Sequence, residues 1–363
     1  MRGGEPMVAK NLKRAAISIF FILGLFLSSF ALEKNDLFQI GDLKVGAGEL
    51  KSGYLRFPEK DGISGFFPLT VINGSKKGKV LALVAGVHGC EYPPILALYR
   101  LRKIVDPQSL QGTLILVHIA NLHAFQKRII YYNPYDWKNL NRVFPGNPEG
   151  TITQRMAYVL TEEVIKKCDF LIDLHCGDAN EALIPYSYWM VSGDEKTNEA
   201  SRKMVMAFGI KHIIIDNSRS KEISDSKYLG NTALLLSKPA ITTESGYLGK
   251  TDKESVESNI NGILSVMRHL GMIEGKPEFV SDPVWVDHYE VIYSKDDGLF
   301  FPLTKMGYYV LEGEKVGYVT DYLGEVKEEL RAPFSGMILY IINTPPANRG
   351  EPLFEIGRIK EKF

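Results

Sequence analysis

An α/β fold, a sheet flanked by helices and followed by a small all-β domain, is the class this sequence predicts. Three observations predict it. Apolar runs rich in Val, Ile and Leu recur at residues 80–85, 113–119, 170–174, 211–215 and 239–243, largely without polar alternation. Strands buried on both faces read this way. Helical periodicity fills the spaces between them, at 95–105, 151–168 and 251–270, and that alternation argues for helices packed on a sheet. From Val284 onward the helical patterning stops. Short apolar runs are there punctuated by Gly298, Gly307, Gly313, Gly317, Gly324, Gly336 and Gly350, the spacing of short strands.

The first segment of the chain has its own logic. Lys10, Lys13 and Arg14 precede an apolar run, 15–27, broken only by Ser18 and Gly24, and Ser28-Ser29-Phe30-Ala31 follows. This is the three-part layout of a secretory signal peptide cut after Ala31. Residues 1–31 are therefore expected to be removed and the protein exported, to the periplasm or beyond. The run is short for a span of ~20 residues, so no stable membrane span is expected after cleavage; an uncleaved anchor is the rival reading. Residues 32–280 are expected to form the α/β domain and 281–363 the C-terminal β domain, with the boundary near Asp282-Pro283.

Within the α/β part, the 151–168 helix shows Ile152, Met156, Val159, Leu160 and Val164 at three- and four-residue steps. The 251–270 helix opens on Thr251-Asp252-Lys253-Glu254, a capping-box pattern, and meets Gly271 at its end. Charge narrows the function classes. Lys plus Arg and Asp plus Glu number 43 each, so no positive excess draws the chain to nucleic acid or anionic lipid. Three cysteines, Cys90, Cys168 and Cys176, are too few for a disulfide scaffold.

Chemistry concentrates where the buried runs end. Residues 80–85 run into Gly86-Val87-His88-Gly89-Cys90-Glu91. A histidine and a carboxylate with two residues between them have the spacing of two ligands to one metal ion, and catalytic zinc often takes two His and one Glu with a fourth position open. A third ligand fits at His175, which follows the run ending in Asp173-Leu174. If those strands are parallel, both histidines emerge on one sheet edge, where open α/β sheets bind ligands. Asp173 is placed to orient a histidine. Glu244, after the 239–243 run, would bring a general base to the same edge. Alone, each has a plain structural explanation: a hydrogen-bonded His, a carboxylate at a helix N-terminus, a solvated loop Glu.

Other motifs add or exclude. Asn141-Arg142, between the candidate ligands, offers a bidentate carboxylate grip, and Arg128 lies upstream. Glu244-Ser245-Gly246 through Gly249-Lys250-Thr251 comes within one residue of a phosphate-binding loop, but Glu244 stands where the first glycine is needed and would repel phosphate. No G-x-S-x-G elbow exists, which argues against an α/β-hydrolase serine nucleophile.

His88-Gly89-Cys90-Glu91, Asn141-Arg142-Val143-Phe144-Pro145-Gly146, Asp173-Leu174-His175 and Glu244-Ser245-Gly246, in this order, resemble the succinylglutamate desuccinylase/aspartoacylase branch of the zinc carboxypeptidases. The resemblance covers about residues 40 to 363, including the C-terminal β segment. It implies a zinc-carboxypeptidase-like mixed sheet flanked by helices. It also implies Zn2+ held by His88, Glu91 and His175, Glu244 as general base and then acid, and Asn141 and Arg142 on a substrate carboxylate. Arg128 would polarise the scissile carbonyl. The implied activity is hydrolysis of an amide bond, as an N-acyl-amino-acid deacylase or a carboxypeptidase, on a small molecule or peptide with a free carboxylate. Cys90 and Cys176 are expected to fill space beside the ligands. The alternative is a binding module of the cell envelope that keeps the zinc fold without turnover.

Overall fold

The computed structural model describes residues 33–60 and 62–360; the expected signal peptide lies outside the described residues. The buried runs all form strands: Lys76–Ala85, Gln111–Val117, Phe170–His175, His212–Asp216 and Ala240–Glu244. Lys76–Ala85 pairs in parallel with Gln111–Val117 on one side and Phe170–His175 on the other. Phe170–His175 pairs in parallel with Ala240–Glu244. The next strand, Tyr186–Met190, runs antiparallel to Ala240–Glu244, and His212–Asp216 follows it in parallel. The sheet is therefore mixed.

Both faces are covered, which explains the unbroken apolar runs. On one face Ala82, Val84, Leu171 and Ala240 pack with Met156, Leu160 and Ala233 of the Ile152–Leu160 and Leu229–Leu235 helices. On the other, Leu81, Leu83, Ile172 and Ile241 meet Leu98, Met204 and Ile263, from the helices Tyr92–Ile104, Glu195–Phe208 and Lys253–His269. The expected 151–168 helix is divided into an α segment, Ile152–Leu160, and a wider π turn, Thr161–Ile165. At the start of the last helix the cap is Asp252 rather than Thr251: its carboxylate accepts from the Ser255 N–H at 2.9 Å and from the Ser255 hydroxyl at 2.9 Å. An aspartate so placed satisfies the Ser255 N–H, one residue beyond the Glu254 N–H that the capping-box pattern assigns to threonine. Gly271 does end this helix, in the left-handed conformation at φ 71°.

The sheet is longer than the recurring runs indicated. The long hairpin Glu49–Lys60 and Ile63–Asn73 extends it past Gln111–Val117. At the opposite edge, Val284–Tyr293 pairs in parallel with His212–Asp216 and antiparallel with Pro352–Ile359. Gly336–Ile342 then pairs with Pro352–Ile359 and also with Glu181–Leu183. The C-terminal strands thus continue the hydrogen-bonded sheet and return to the segment just after His175. A second, four-stranded sheet of Val326–Arg331, Lys315–Thr320, Gly298–Pro302 and Pro346–Ala347 packs with them around Phe300, Val316, Leu330 and Phe354. Among the described residues no helix is long and apolar enough to cross a membrane.

Candidate active site

Three parallel strands end side by side, and the candidate residues stand at those ends. The register sets Ala85 beside Leu174 and Glu244 beside His175. Because side chains alternate across a strand, Asp173, His175, Thr242 and Glu244 share one face, and Tyr186 and Tyr188 of the antiparallel neighbour join them.

The turn after Ala85 delivers His88 and Glu91. Gly86 leaves the strand at φ 67°, a conformation glycine adopts without strain. Gly89 lets two backbones touch: a Cβ there would lie 2.2 Å from the Ile129 carbonyl oxygen, and its N–H donates to the Ile130 carbonyl at 2.9 Å. Glu91 caps the Tyr92–Ile104 helix, with proline in its first turn, so the carboxylate sits where the helix dipole favours negative charge.

The three candidate ligands converge. His88 Nδ1 lies 2.7 Å from Glu91 Oε1 and His175 Nδ1 lies 3.0 Å from Glu91 Oε2; one donor atom from each residue falls within a 4.8 Å cluster. His88 is 9% exposed and the other two 2%. Burial pushes the Glu91 carboxyl up, but His175 and His88 pull it down to about 2. His175 has carboxylates at both ring nitrogens, since its Nε2 lies 3.0 Å from Asp173 Oδ1. Burial alone would lower its pKa; Asp173 and Glu91 together hold it well above the usual imidazole range. The hydrogen bond between His175 Nδ1 and Glu91 goes to Oε1, at 3.1 Å, so the buried Oε2 is left without one despite the 3.0 Å approach. Two imidazole nitrogens, a carboxylate oxygen and an orphaned lone pair fit a tetrahedral N/O site for zinc with one position open. Asp173 on the far nitrogen of His175 is the usual outer partner of a metal-binding histidine.

Glu244 is half-buried, and its carboxylate makes no hydrogen bond among the described residues. Burial pushes its carboxyl well above the ordinary range; His175 pulls the other way, and the charges of Glu91, Glu181 and Asp173 add to the rise. A bound cation would oppose those negative neighbours.

Asn141, expected on the substrate carboxylate, lies beside the cluster, and its amide also meets protein partners, among them His175 Nε2 at 3.3 Å. Nδ2 faces Asp173 Oδ2 at 3.4 Å and Oδ1 accepts from the Leu229 N–H at 2.8 Å. Arg142 is exposed; it donates to the Asn141 carbonyl at 2.8 Å and lies over the Tyr228 ring at 4.7 Å. Arg128 is exposed, in the left-handed conformation that ends the Leu122–Lys127 helix, and its charge reaches Cys90 and Tyr92. All three cysteines are free and buried. Burial raises the Cys90 and Cys176 thiols, which keeps them neutral packing groups.

Several residues at this edge carried no motif. Tyr131 meets the His88 ring edge-on at 5.6 Å and donates its hydroxyl to Glu181 Oε1 at 2.9 Å. Burial pushes Glu181 up to about 7. Glu355, from the C-terminal strand, is 1% exposed and accepts from Tyr186 at 3.3 Å and Tyr188 at 3.4 Å. Burial and Glu181 lift it to about 8 from an ordinary 4.5. A carboxyl raised on folding binds its proton more tightly in the native state, so its contribution to stability falls as pH rises from about 4.5 to about 8. Glu355→Gln removes that loss. We expect its melting temperature to equal the parent's near pH 4 and to exceed it by a few degrees at pH 8, read by thermal unfolding across that range; a variant less stable at pH 8 would show that the ionised form is the one the fold uses.

Residues 77–270 match the family described as Succinylglutamate desuccinylase/Aspartoacylase catalytic domain. Over 330 residues the chain is 27% identical to the N-alpha-acetyl-L-2,4-diaminobutyric acid deacetylase of Halomonas elongata, covering 87% of this chain and 94% of that protein. A crystal structure of a succinylglutamate desuccinylase from Silicibacter sp. TM1040 is similar with a TM-score of 0.76 at 26% identity, over 91% of this chain and 100% of that one. The product-bound ectoine utilization protein EutE of Ruegeria pomeroyi shares the fold, with a TM-score of 0.78 at 24% identity over 90% of this chain and all, 100%, of its own.

Proposed function

The chain belongs to the succinylglutamate desuccinylase/aspartoacylase family, and on that premise we propose that it is a zinc-dependent hydrolase of the amide bond in small N-acylated amino acids with a free carboxylate. The observation that carries this reading is the convergence of His88, Glu91 and His175 beside Glu244, at the ends of three parallel strands. The Halomonas relative is a deacetylase of an acylated amino acid, which supports the substrate class.

His88, Glu91 and His175 would hold zinc, which when bound supplies Lewis-acid polarisation of a carbonyl and a nucleophile at neutral pH. Asp173 fixes the orientation of the His175 ring. Glu244, next to His175 in register, takes a proton from the attacking water and returns it to the leaving nitrogen. Arg142 reaches from an exposed loop to the substrate carboxylate. Asn141, its amide engaged by Asp173 and Leu229, sets the loop from which Arg142 projects. Arg128, whose charge reaches Cys90 and Tyr92 next to Glu91, would polarise the scissile carbonyl. A binding module without turnover has no use for an unbonded carboxylate beside the metal ligands, and Glu244 is such a group. The export reading, with a leader cut after Ala31, belongs to this proposal and is checked by N-terminal sequencing of the secreted protein.

The test is a hydrolysis screen of N-acyl amino acids against C-terminal peptides and against the corresponding amides, with and without chelator. Turnover of the free acids that chelation abolishes and zinc restores is the expected result; chelator-resistant turnover, or preference for the amides, refutes the reading. Metal uptake itself should depend on pH. In the metal-free chain His175 holds its proton to well above the usual imidazole range, and that proton must leave before Nδ1 can bind a cation. Zinc binding should release protons and weaken as pH falls. Calorimetry in two buffers of different ionisation enthalpy checks it; equal heats would refute proton release.

A further inference from the structure

We infer that Arg219, held by Asp216 and stacked on Tyr228, is a positioning residue that aims Arg142 at the substrate carboxylate; the inference rests on the amide-hydrolase reading above. Arg142 is the exposed last residue of a short 3-10 turn, Leu140–Arg142; its guanidinium donates to the Asn141 carbonyl and lies over the Tyr228 ring, and its charge also reaches Tyr293. A long, exposed arginine samples many rotamers, so whatever fixes that ring fixes the direction of the fork. Arg219 lies over the same ring, 3.8 Å from its centroid. Its Nε bonds Asp216, a buried carboxylate at the end of the His212–Asp216 strand. Asp216 is itself fixed, accepting from the Ser218 N–H at 3.0 Å and the Ser218 hydroxyl at 2.6 Å. A line of contacts thus runs from a central strand through Asp216, Arg219 and Tyr228 to Arg142.

The two loops are also tied through their backbones. Phe144 and Lys227 exchange N–H to carbonyl bonds of 3.3 and 3.0 Å, and Leu229 donates to Asn141 at 2.8 Å. With both backbones joined, the direction of the Arg142 side chain is the remaining freedom, and Tyr228 limits it. Two guanidinium groups on one ring repel each other. A mere stabilising ion pair between Asp216 and Arg219 gains nothing from that crowding. An anion arriving at Arg142 would relieve it.

The experiment compares a matched N-acyl amino acid and its amide on the zinc-loaded parent, R142A, R219M, R219K and the R142A/R219M double variant. R219M should raise KM for the acid about tenfold, leave KM for the amide and the zinc content unchanged, and hold kcat within about threefold. R219K keeps a charge near Asp216 but has no planar group to stack, and should behave like R219M. The double variant should be no worse than R142A, because Arg219 acts through Arg142. A full additional loss in the double variant, or equal loss on acid and amide, overturns the inference. Should R219M fail to fold, Tyr228→Leu removes the ring and leaves the ion pair, with the same expectation; an unchanged acid KM there overturns it. Calorimetric Kd values for the same two ligands give the same comparison without turnover. An inactive parent therefore counts against the hydrolase reading alone, and the binding differences still decide the role of Arg219.

Discussion

His175→Ala is expected to leave the purified protein with less than about a tenth of the parent's zinc and with no measurable hydrolysis. The size of the effect follows from what the imidazole holds together. Its Nδ1 is one of three clustered donors, and its Nε2 meets Asp173. Removing the ring deletes one ligand and leaves both Glu91 and Asp173 buried without their shared partner. Two remaining ligands do not retain zinc against a chelator. Asp173→Asn is the graded companion. It keeps a hydrogen-bond acceptor for the ring but removes its charge, and should weaken zinc binding by about 10-fold to 100-fold rather than abolish it. Metal analysis after dialysis, beside activity on an N-acyl amino acid, reads both. Full zinc retention in His175→Ala would show that the third ligand lies elsewhere, with Cys176 and Asp178 next to examine.

Much of this site was legible because its parts follow strands buried on both faces. The runs ending before Gly86, at Leu174 and at Thr243 had no polar alternation to confuse them, and the polar residue after each run marked a strand end. A parallel arrangement of three such strands brings those residues to one edge. The neighbours Tyr186 and Tyr188 were not legible. Their strand is short, without a regular alternation of burial, and it runs against Ala240–Glu244, a direction no local signal encodes. Glu355 was hidden for another reason. It is an acid among Leu353, Phe354 and Ile356, and only the pairing of that strand with Val284–Tyr293 and Gly336–Ile342 brings it to Tyr186. Arg219 and Tyr228 fall between the His212–Asp216 strand and the Leu229–Leu235 helix, in a stretch with neither helical nor strand period, so nothing in the sequence distinguishes Arg219 from a surface ion-pair residue. Asn141 shows a limit of another kind. The motif identified the residue, but the use of its amide by Asp173 and Leu229 depends on contacts 32 and 88 residues away in the chain.

Glu244→Gln is expected to keep the zinc of the parent and its affinity for an N-acyl amino acid, while losing turnover by about 100-fold or more, the scale of a general acid–base contribution. The substitution is close to isosteric, and the parent carboxylate has no hydrogen bond among the described residues whose loss could disturb the fold. What changes is basicity. At its strand end Glu244 is the register neighbour of His175 and lies within the field of Glu91 and Asp173; in the proposed mechanism it takes a proton from water attacking a carbonyl held at that edge. An amide cannot accept that proton or hand it to the departing nitrogen. Burial and the surrounding carboxylates hold the parent group well above the ordinary carboxyl range, so the same position penalises a negative charge that does no chemistry. The Gln variant should therefore be at least as stable as the parent at neutral pH. Loss of turnover with equal or greater stability separates a reacting group from a structural one, because a structural carboxylate would give the reverse. Zinc analysis, calorimetric binding, single-turnover rates and thermal unfolding on one preparation decide it: a Gln variant that hydrolyses at near the parental rate sinks the mechanism even with zinc in place.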